Sequence, residues 1–240
     1  MPSRILDFPI FEWRNSRNPF GGDPLTARER WIYEGLSARF LQLELAHVQM
    51  LDLKDAALER YRTLAFRLGY LALLNGDTAK AFDVLKLFEK LPDARGDELF
   101  VLATVIAERA DQAEADDAPD RMTAYREAAK LLERAAGLDP TDAMIAYQLG
   151  WLYDELGRYA AAIDANRRAA ELNPELAPRT SWNTAVSVLK SGDPAGAIVC
   201  LESIPPGPIW RDIAQDEELA PLHTWPGWPV LLEEKLENPA

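Results

Sequence analysis

The sequence predicts an all-α fold built from a stack of helix pairs. Three observations carry that expectation. Apolar residues recur at helical spacing from about Thr26 to Glu202, β-branched residues are few, and no stretch shows the two-residue alternation of a half-buried strand. Breaks fall at Gly76, Pro92, Pro140, Gly157, Pro174, Gly192 and Pro205. These residues end helices, because proline removes a backbone donor and glycine accepts a left-handed cap. Small residues also repeat. Gly69, Gly150 and Ala185 are each followed 12 residues later by an alanine (Ala81, Ala162, Ala197), with Gly76, Gly157 or Gly192 seven residues after the first.

The elements follow in chain order. Residues 1–22, "MPSRILDFPIFEWRNSRNPFGG", have three prolines and no helical period but carry Phe8, Phe11, Trp13 and Phe20. They read as an extended N-terminal arm. Residues 23–61 read as one or two capping helices, opened by Asp23-Pro24 and faced by Ile32, Leu36, Phe40, Leu43 and Met50. Helix pairs are expected at about 62–95, 96–142, 143–177 and 178–204. The second is longer: Ala103 and Ala128 lie 25 apart, so 13 residues are inserted. The acidic stretch "DQAEADDAPD" is the expected loop, near 111–121. Residues 205–240 read as a C-terminal capping segment, since an array end needs covering. Gly150 is the costly residue, because glycine inside a helix loses about 1 kcal/mol against alanine. Close approach to Ala162 on the second helix of the pair is the expected compensation.

The unit "DAMIAYQLGWLYDELGRYAAAIDANRRAAELNP" resembles the tetratricopeptide repeat at Leu149, Gly150, Tyr153, Gly157, Tyr159, Ala162, Ala169 and Pro174. It departs at Ala146 and Asn166, where that family commonly has a tryptophan and an aromatic. The first unit matches at Leu68, Gly69, Gly76 and Ala81, and the last at Ala185, Gly192 and Ala197. The second keeps Leu102, Ala103, Tyr125, Ala128, Leu132, Ala135 and Pro140. "DEELAPLHTWPGWPVLL" resembles the degenerate tail that trails bacterial repeat arrays. The resemblance implies a right-handed α-solenoid of about four such pairs between N- and C-terminal capping helices, in a small protein of the bacterial type.

Composition excludes several functions. The net charge is -13 and no cluster of Lys or Arg stands ready to neutralise phosphates, so nucleic acid is not an expected partner. The most apolar stretch, Phe40–Leu53, is interrupted by Glu44 and His47 and is too short for membrane insertion. No secretory signal is legible at the N-terminus, and the single cysteine, Cys200, suits a reducing compartment, so a cytoplasmic protein is expected. The two histidines, His47 and His223, are far apart and read as packed residues. Asp116, Asp117 and Asp120 lack the glycine and glutamate of a calcium loop. No zinc spacing or phosphate-binding glycine loop is present. No enzyme activity, cofactor or metal is therefore expected.

What remains is a binding surface. In the tetratricopeptide family the first helix of each pair lines a concave groove. Carried over residue by residue, the row three before each small residue is Phe66, Phe100, Tyr147 and Trp182. The row one after includes Tyr70 and Trp151, and the row two before includes Arg67, Gln148 and Asn183. Arg179 lies one turn before Asn183, and the two resemble part of a clamp for a peptide carboxylate. Phe66 and Phe100 fit equally as filling between helices. Tyr147, Trp151 and Trp182 are expected to face the groove, because their polar edges need a partner. Trp182 in particular should be separable from folding. The expected function is a non-enzymatic protein-protein interaction module, an adaptor, assembly factor or chaperone, with a peptide or helix in the groove. One alternative is a regulatory subunit of an enzyme or secretion complex whose groove holds its own N-terminal arm. Another is a small-ligand carrier or enzyme with a site at the junction of solenoid and cap.

Overall fold

The computed structural model describes residues 55–112 and 118–237. Expectations for residues 1–54, including the arm and His47, and for Asp116 and Asp117 lie outside them. The described residues form α1 (Asp55–Leu74), α2 (Thr78–Leu85), α3 (Gly96–Gln112), α4 (Ala118–Leu138), α5 (Ala143–Glu155), α6 (Tyr159–Leu172), α7 (Ala177–Lys190), α8 (Pro194–Glu202), α9 (Ile209–Ala214) and α10 (Trp228–Glu237). Short 3-10 turns follow α2, α6 and α9. The fold is all-α and made of helix pairs, with no strand among the described residues. No described helix is long and apolar enough to cross a membrane. The chain divides into two compact units, residues 1–131 and 132–240.

In the first unit, α1 packs against α2 and α2 against α3. α1 starts seven residues before the expected boundary at 62, since nothing between Asp55 and Arg62 breaks a helix. The turn between α1 and α2 uses Gly76 at φ +76°, and Asp77 caps α2 by accepting from the Lys80 amide at 3.0 Å. A buried ion pair joins α1 to the start of α3. Arg62, 2% exposed, donates to Glu98, 3% exposed, at 3.0 and 2.6 Å, and to the Asp93 carboxylate at 2.6 Å. Thr78 donates to Gln112 at 2.7 Å and ties α2 to the end of α3. Arg121 reaches the Ala110 carbonyl at 3.2 Å, and the Tyr125 hydroxyl donates to Asp111, linking α4 to α3.

The inserted residues correct the expected loop. α3 and α4 run 17 and 21 residues, against 13 and 14 for α5 and α6, so most of the insertion is helix. Pro119 does not oppose this: it sits in the first turn of α4, where its missing amide hydrogen has no helical acceptor to lose.

In the second unit, α5 pairs with α6 and α7 with α8, and α6 packs on α7. Gly157 at φ +70° and Gly192 at φ +97° make the turns. Asp142 caps α5 from the Met144 and Ile145 amides, and Asp193 caps α8 from the Gly196 amide. The Tyr153 hydroxyl donates to Glu133 at 2.9 Å while Arg158 lies over its ring, 4.1 Å from the centroid. Burial, reinforced by Glu133, pushes the Tyr153 hydroxyl up to about 12.

Gly150 does meet its partner helix closely, and the nearest atoms there belong to Asn166. A Cβ built on Gly150 would stand 2.6 Å from Oδ1 of Asn166 and 2.9 Å from its Cγ. Gly69 meets Leu85 in the same register, with Leu85 Cγ at 2.2 Å from the built Cβ. Helical side chains lean toward their own N-terminus, so the space beside the glycine is filled from one turn further along the second helix. Asn166 is fully buried, and neither its Oδ1 nor its Nδ2 meets a hydrogen-bond partner. Such a group costs about 1–3 kcal/mol. Asn166→Leu, which copies the residue at the same register in the first pair, is expected to stabilise the second unit by about that amount. The melting temperature should rise by several degrees, and a fall would mean that the leucine does not fit.

The chain after α8 folds over the end of the last pair. Trp210, Ile213, Leu219, Leu222, Trp228 and Leu231 form one core with Ala185, Val186, Ala197, Ile198, Leu201 and Ile204. Trp210 is fully buried and its indole donates to the Pro205 carbonyl at 3.0 Å. The buried Lys235 ammonium donates to the carbonyls of Glu202 and Ile204, both at 2.9 Å. A cation there satisfies acceptors at the helix end that have no helical donor and opposes the dipole of α8. Cys200 packs against this core, and burial, then Asp193, raises its thiol away from the thiolate.

Candidate functional site

α5 and α7 are the first helices of their pairs. On α5, Tyr147, Trp151 and Glu155 recur every four residues and share one face. On α7, Arg179, Asn183, Val186 and Lys190 do the same at spacings of three and four. Trp151, Arg179, Trp182 and Asn183 are part-exposed, whereas Tyr147 and Gln148 are buried. The Gln148 Nε2 has no hydrogen-bond partner.

Polar contacts stitch the two helices to the cap. Asp154 on α5 accepts from the Ser187 hydroxyl at 2.6 Å and from the Lys190 ammonium at 2.5 Å. The same ammonium reaches Glu218, on the 3-10 turn before α10, at 2.6 Å. Burial opposes the lysine charge, but hydrogen bonds to Asp154 and Glu218 outweigh it and hold the pKa above the ordinary lysine value. Carboxylate oxygens of Asp154, Glu155 and Glu218 lie within 4.8 Å of one another. They could supply metal ligands, but Lys190 already places a cation against two of them.

Trp182 does not stand clear of the fold. Its indole N–H donates to the buried Asp216 carboxylate at 2.7 Å, and its ring packs on the cap core. Asp216 also caps the 3-10 turn, accepting from the Glu218 amide at 3.0 Å. The polar edge expected to await a ligand is therefore engaged within the chain. Tyr147, expected in the groove, is likewise buried.

In the first unit the candidates lie mostly inside. Phe66 and Tyr70 on α1 are buried with their rings near parallel, centroids 6.4 Å apart. Phe100 on α3 is buried, and Arg67 is part-exposed. Sequence reasoning missed Asp154, Ser187, Lys190, Asp216 and Glu218. A signal was present: Trp182 and Asp216 are 34 residues apart and Asp154 and Ser187 are 33, both close to one repeat.

Residues 145–176 match the family model described as Tetratricopeptide repeat. No curated protein matches the sequence. Among solved structures, "MamA MSR-1 C2" is 22% identical, with a TM-score of 0.48 over 58% of this chain and 72% of its own. TTC0263, a thermophilic TPR protein of Thermus thermophilus, is 18% identical, with a TM-score of 0.48 over 83% of this chain and 97% of its own. Residues 145–176, built on the close approach at Gly150 and the turn at Gly157, are thus similar to a tetratricopeptide repeat.

Proposed function

We propose that this chain is a non-catalytic protein-interaction module that binds an extended peptide or short helix of a partner protein along the face of α5 and α7. The observation that carries this is the part-exposure of Trp151, Arg179 and Asn183 on the first helices of two successive pairs. An aromatic ring beside a guanidinium and an amide suits peptide side chains and backbone together. Trp151 is the anchor, Arg179 and Asn183 supply polar contacts, and Tyr147 and Gln148 form the floor. Trp182 is a positioning residue that fixes Asp216 and the cap edge. The role is that of an adaptor, assembly factor or chaperone, and the single cysteine fits a cytoplasmic setting.

Selection from a phage-displayed random peptide library against the full chain tests this reading. Aromatic anchors often contribute about 2 kcal/mol or more to an interface. Trp151→Ala is therefore expected to weaken the selected peptides at least tenfold while the melting temperature barely moves. Peptides whose affinity is untouched by Trp151→Ala would place recognition elsewhere.

A further inference from the structure

α6 brings little to hold it in place. Its buried residues are Ala162, Asn166 and Ala169. None is a large apolar side chain, whereas α8 buries Ile198 and Leu201. Tyr159, Ile163 and Leu172 of α6 are only part-buried. The difference is sharpest in one register. The residues 16 after Gly69, Gly150 and Ala185 are Leu85, Asn166 and Leu201. All three are fully buried, and only Asn166 is polar. Neither Oδ1 nor Nδ2 of Asn166 has a hydrogen-bond partner, so its amide favours any state in which water reaches it. Polar ties do not compensate. The ion pairs of Arg167 with Asp164 and Glu171, and of Arg168 with Glu171, all lie within α6. Among the described residues its one side-chain hydrogen bond to another part of the fold runs from Arg168 to the Pro140 carbonyl, exposed and 3.4 Å long. α5 and α7, by contrast, are bonded to each other through Asp154, Ser187 and Lys190.

We propose that α6 is the yielding element of the second unit: it undocks before α5 or α7 does, and the unpaired amide of Asn166 sets how often. Docking a helix must outweigh the conformational entropy of ordering it. α6 brings mainly alanine to that balance and gives up the hydration of one amide. A helix of 14 residues is marginal alone in water, so α6 unravels once it undocks. Segments with few buried apolar contacts open locally in this way, below the free energy of global unfolding. α5 and α7 keep their joint at Asp154 through the opening, because the bonds from Ser187 and Lys190 do not involve α6. α6 packs on both α5 and α7. Its release therefore lets their spacing change away from that joint, a hinge movement with Asp154 as the pin. The width of the face that carries Trp151, Arg179 and Asn183 is thereby adjusted to the segment it meets. That consequence rests on the peptide-binding reading of this face; the undocking itself does not.

Native-state amide exchange of the full chain, read by mass spectrometry, tests this without any substitution. Protection over residues 163–172 is expected to be at least tenfold lower than over 147–155 and 181–190. Equal or higher protection in α6 would overturn the proposal. Asn166→Leu then tests the cause: protection over 163–172 should rise at least tenfold. If the leucine lowers the melting temperature, Asn166→Met, with a more adaptable side chain, takes its place. Unchanged protection in the variant that folds as stably as the wild type, or lower protection with both residues, would remove Asn166 as the cause and overturn that half of the proposal. The two readings fail separately. Exchange as expected in a chain that selects no peptide would leave the undocking standing and remove only its consequence for the binding face.

Discussion

Glu98→Ala is expected to destabilise the first unit by about 3–5 kcal/mol, the range for removing one partner of a buried ion pair. Arg62 would keep its contact to Asp93, but Asp93 is 62% exposed and stands at the rim. The guanidinium would lose both bonds to Glu98 while still buried in the interior. The Arg95 amide, which donates to Glu98 at 2.8 Å at the start of α3, would lose its acceptor too. Chemical denaturation followed by circular dichroism gives the loss. The double variant Arg62→Met, Glu98→Leu should recover most of it, because replacing both charges by apolar groups removes the uncompensated one. A single-variant effect below about 1 kcal/mol would show that the pair is solvated in solution.

Trp210→Ala carries a comparable expectation, about 3–5 kcal/mol for emptying a fully buried tryptophan site. The indole bond to Pro205 goes with it, and the packing beside Lys235 loosens, since that ammonium lies 5.7 Å from the ring centroid. The effect should spread to α7 through the bond between Trp182 and Asp216. Hydrogen exchange should therefore quicken across residues 205–237 and in α7 before it does in α6. An unchanged melting temperature would mean that the cap contributes nothing to the pair beneath it. Trp151→Ala, by contrast, removes a part-exposed ring and should leave thermal stability nearly intact.

These two sites show what the sequence carried and what it did not. Gly76, Gly157 and Gly192 announced their turns, because a left-handed backbone is cheap only for glycine. The pairing of Gly150 with Asn166 was not legible, because the lean of helical side chains shifts contacts by a turn from the simple hairpin register. Trp182 read as a groove residue from its repeat position. Its partner, Asp216, lies about one repeat further on, in a segment read only as a cap, so the 34-residue spacing was the one signal for it. The burial of α3 was half-legible: "LFVLATVIA" is apolar on every face, which marks a helix covered all round without saying by what.

The polar ties share one feature whose consequence is kinetic. Arg62 to Glu98 spans 36 residues, Thr78 to Gln112 spans 34, Asp154 to Ser187 spans 33, and Trp182 to Asp216 spans 34. Each joins one helix pair to the next element of the stack. Every loop that must close to form such a tie is therefore of one modest length, and its entropic cost is nearly constant along the chain. Among the described residues, none of these side-chain ties spans more than 36 residues. Structure can start at whichever pair forms first and grow outward by adding one neighbour at a time. An error in one pair then delays the next pair along and leaves those further off to form on their own schedule.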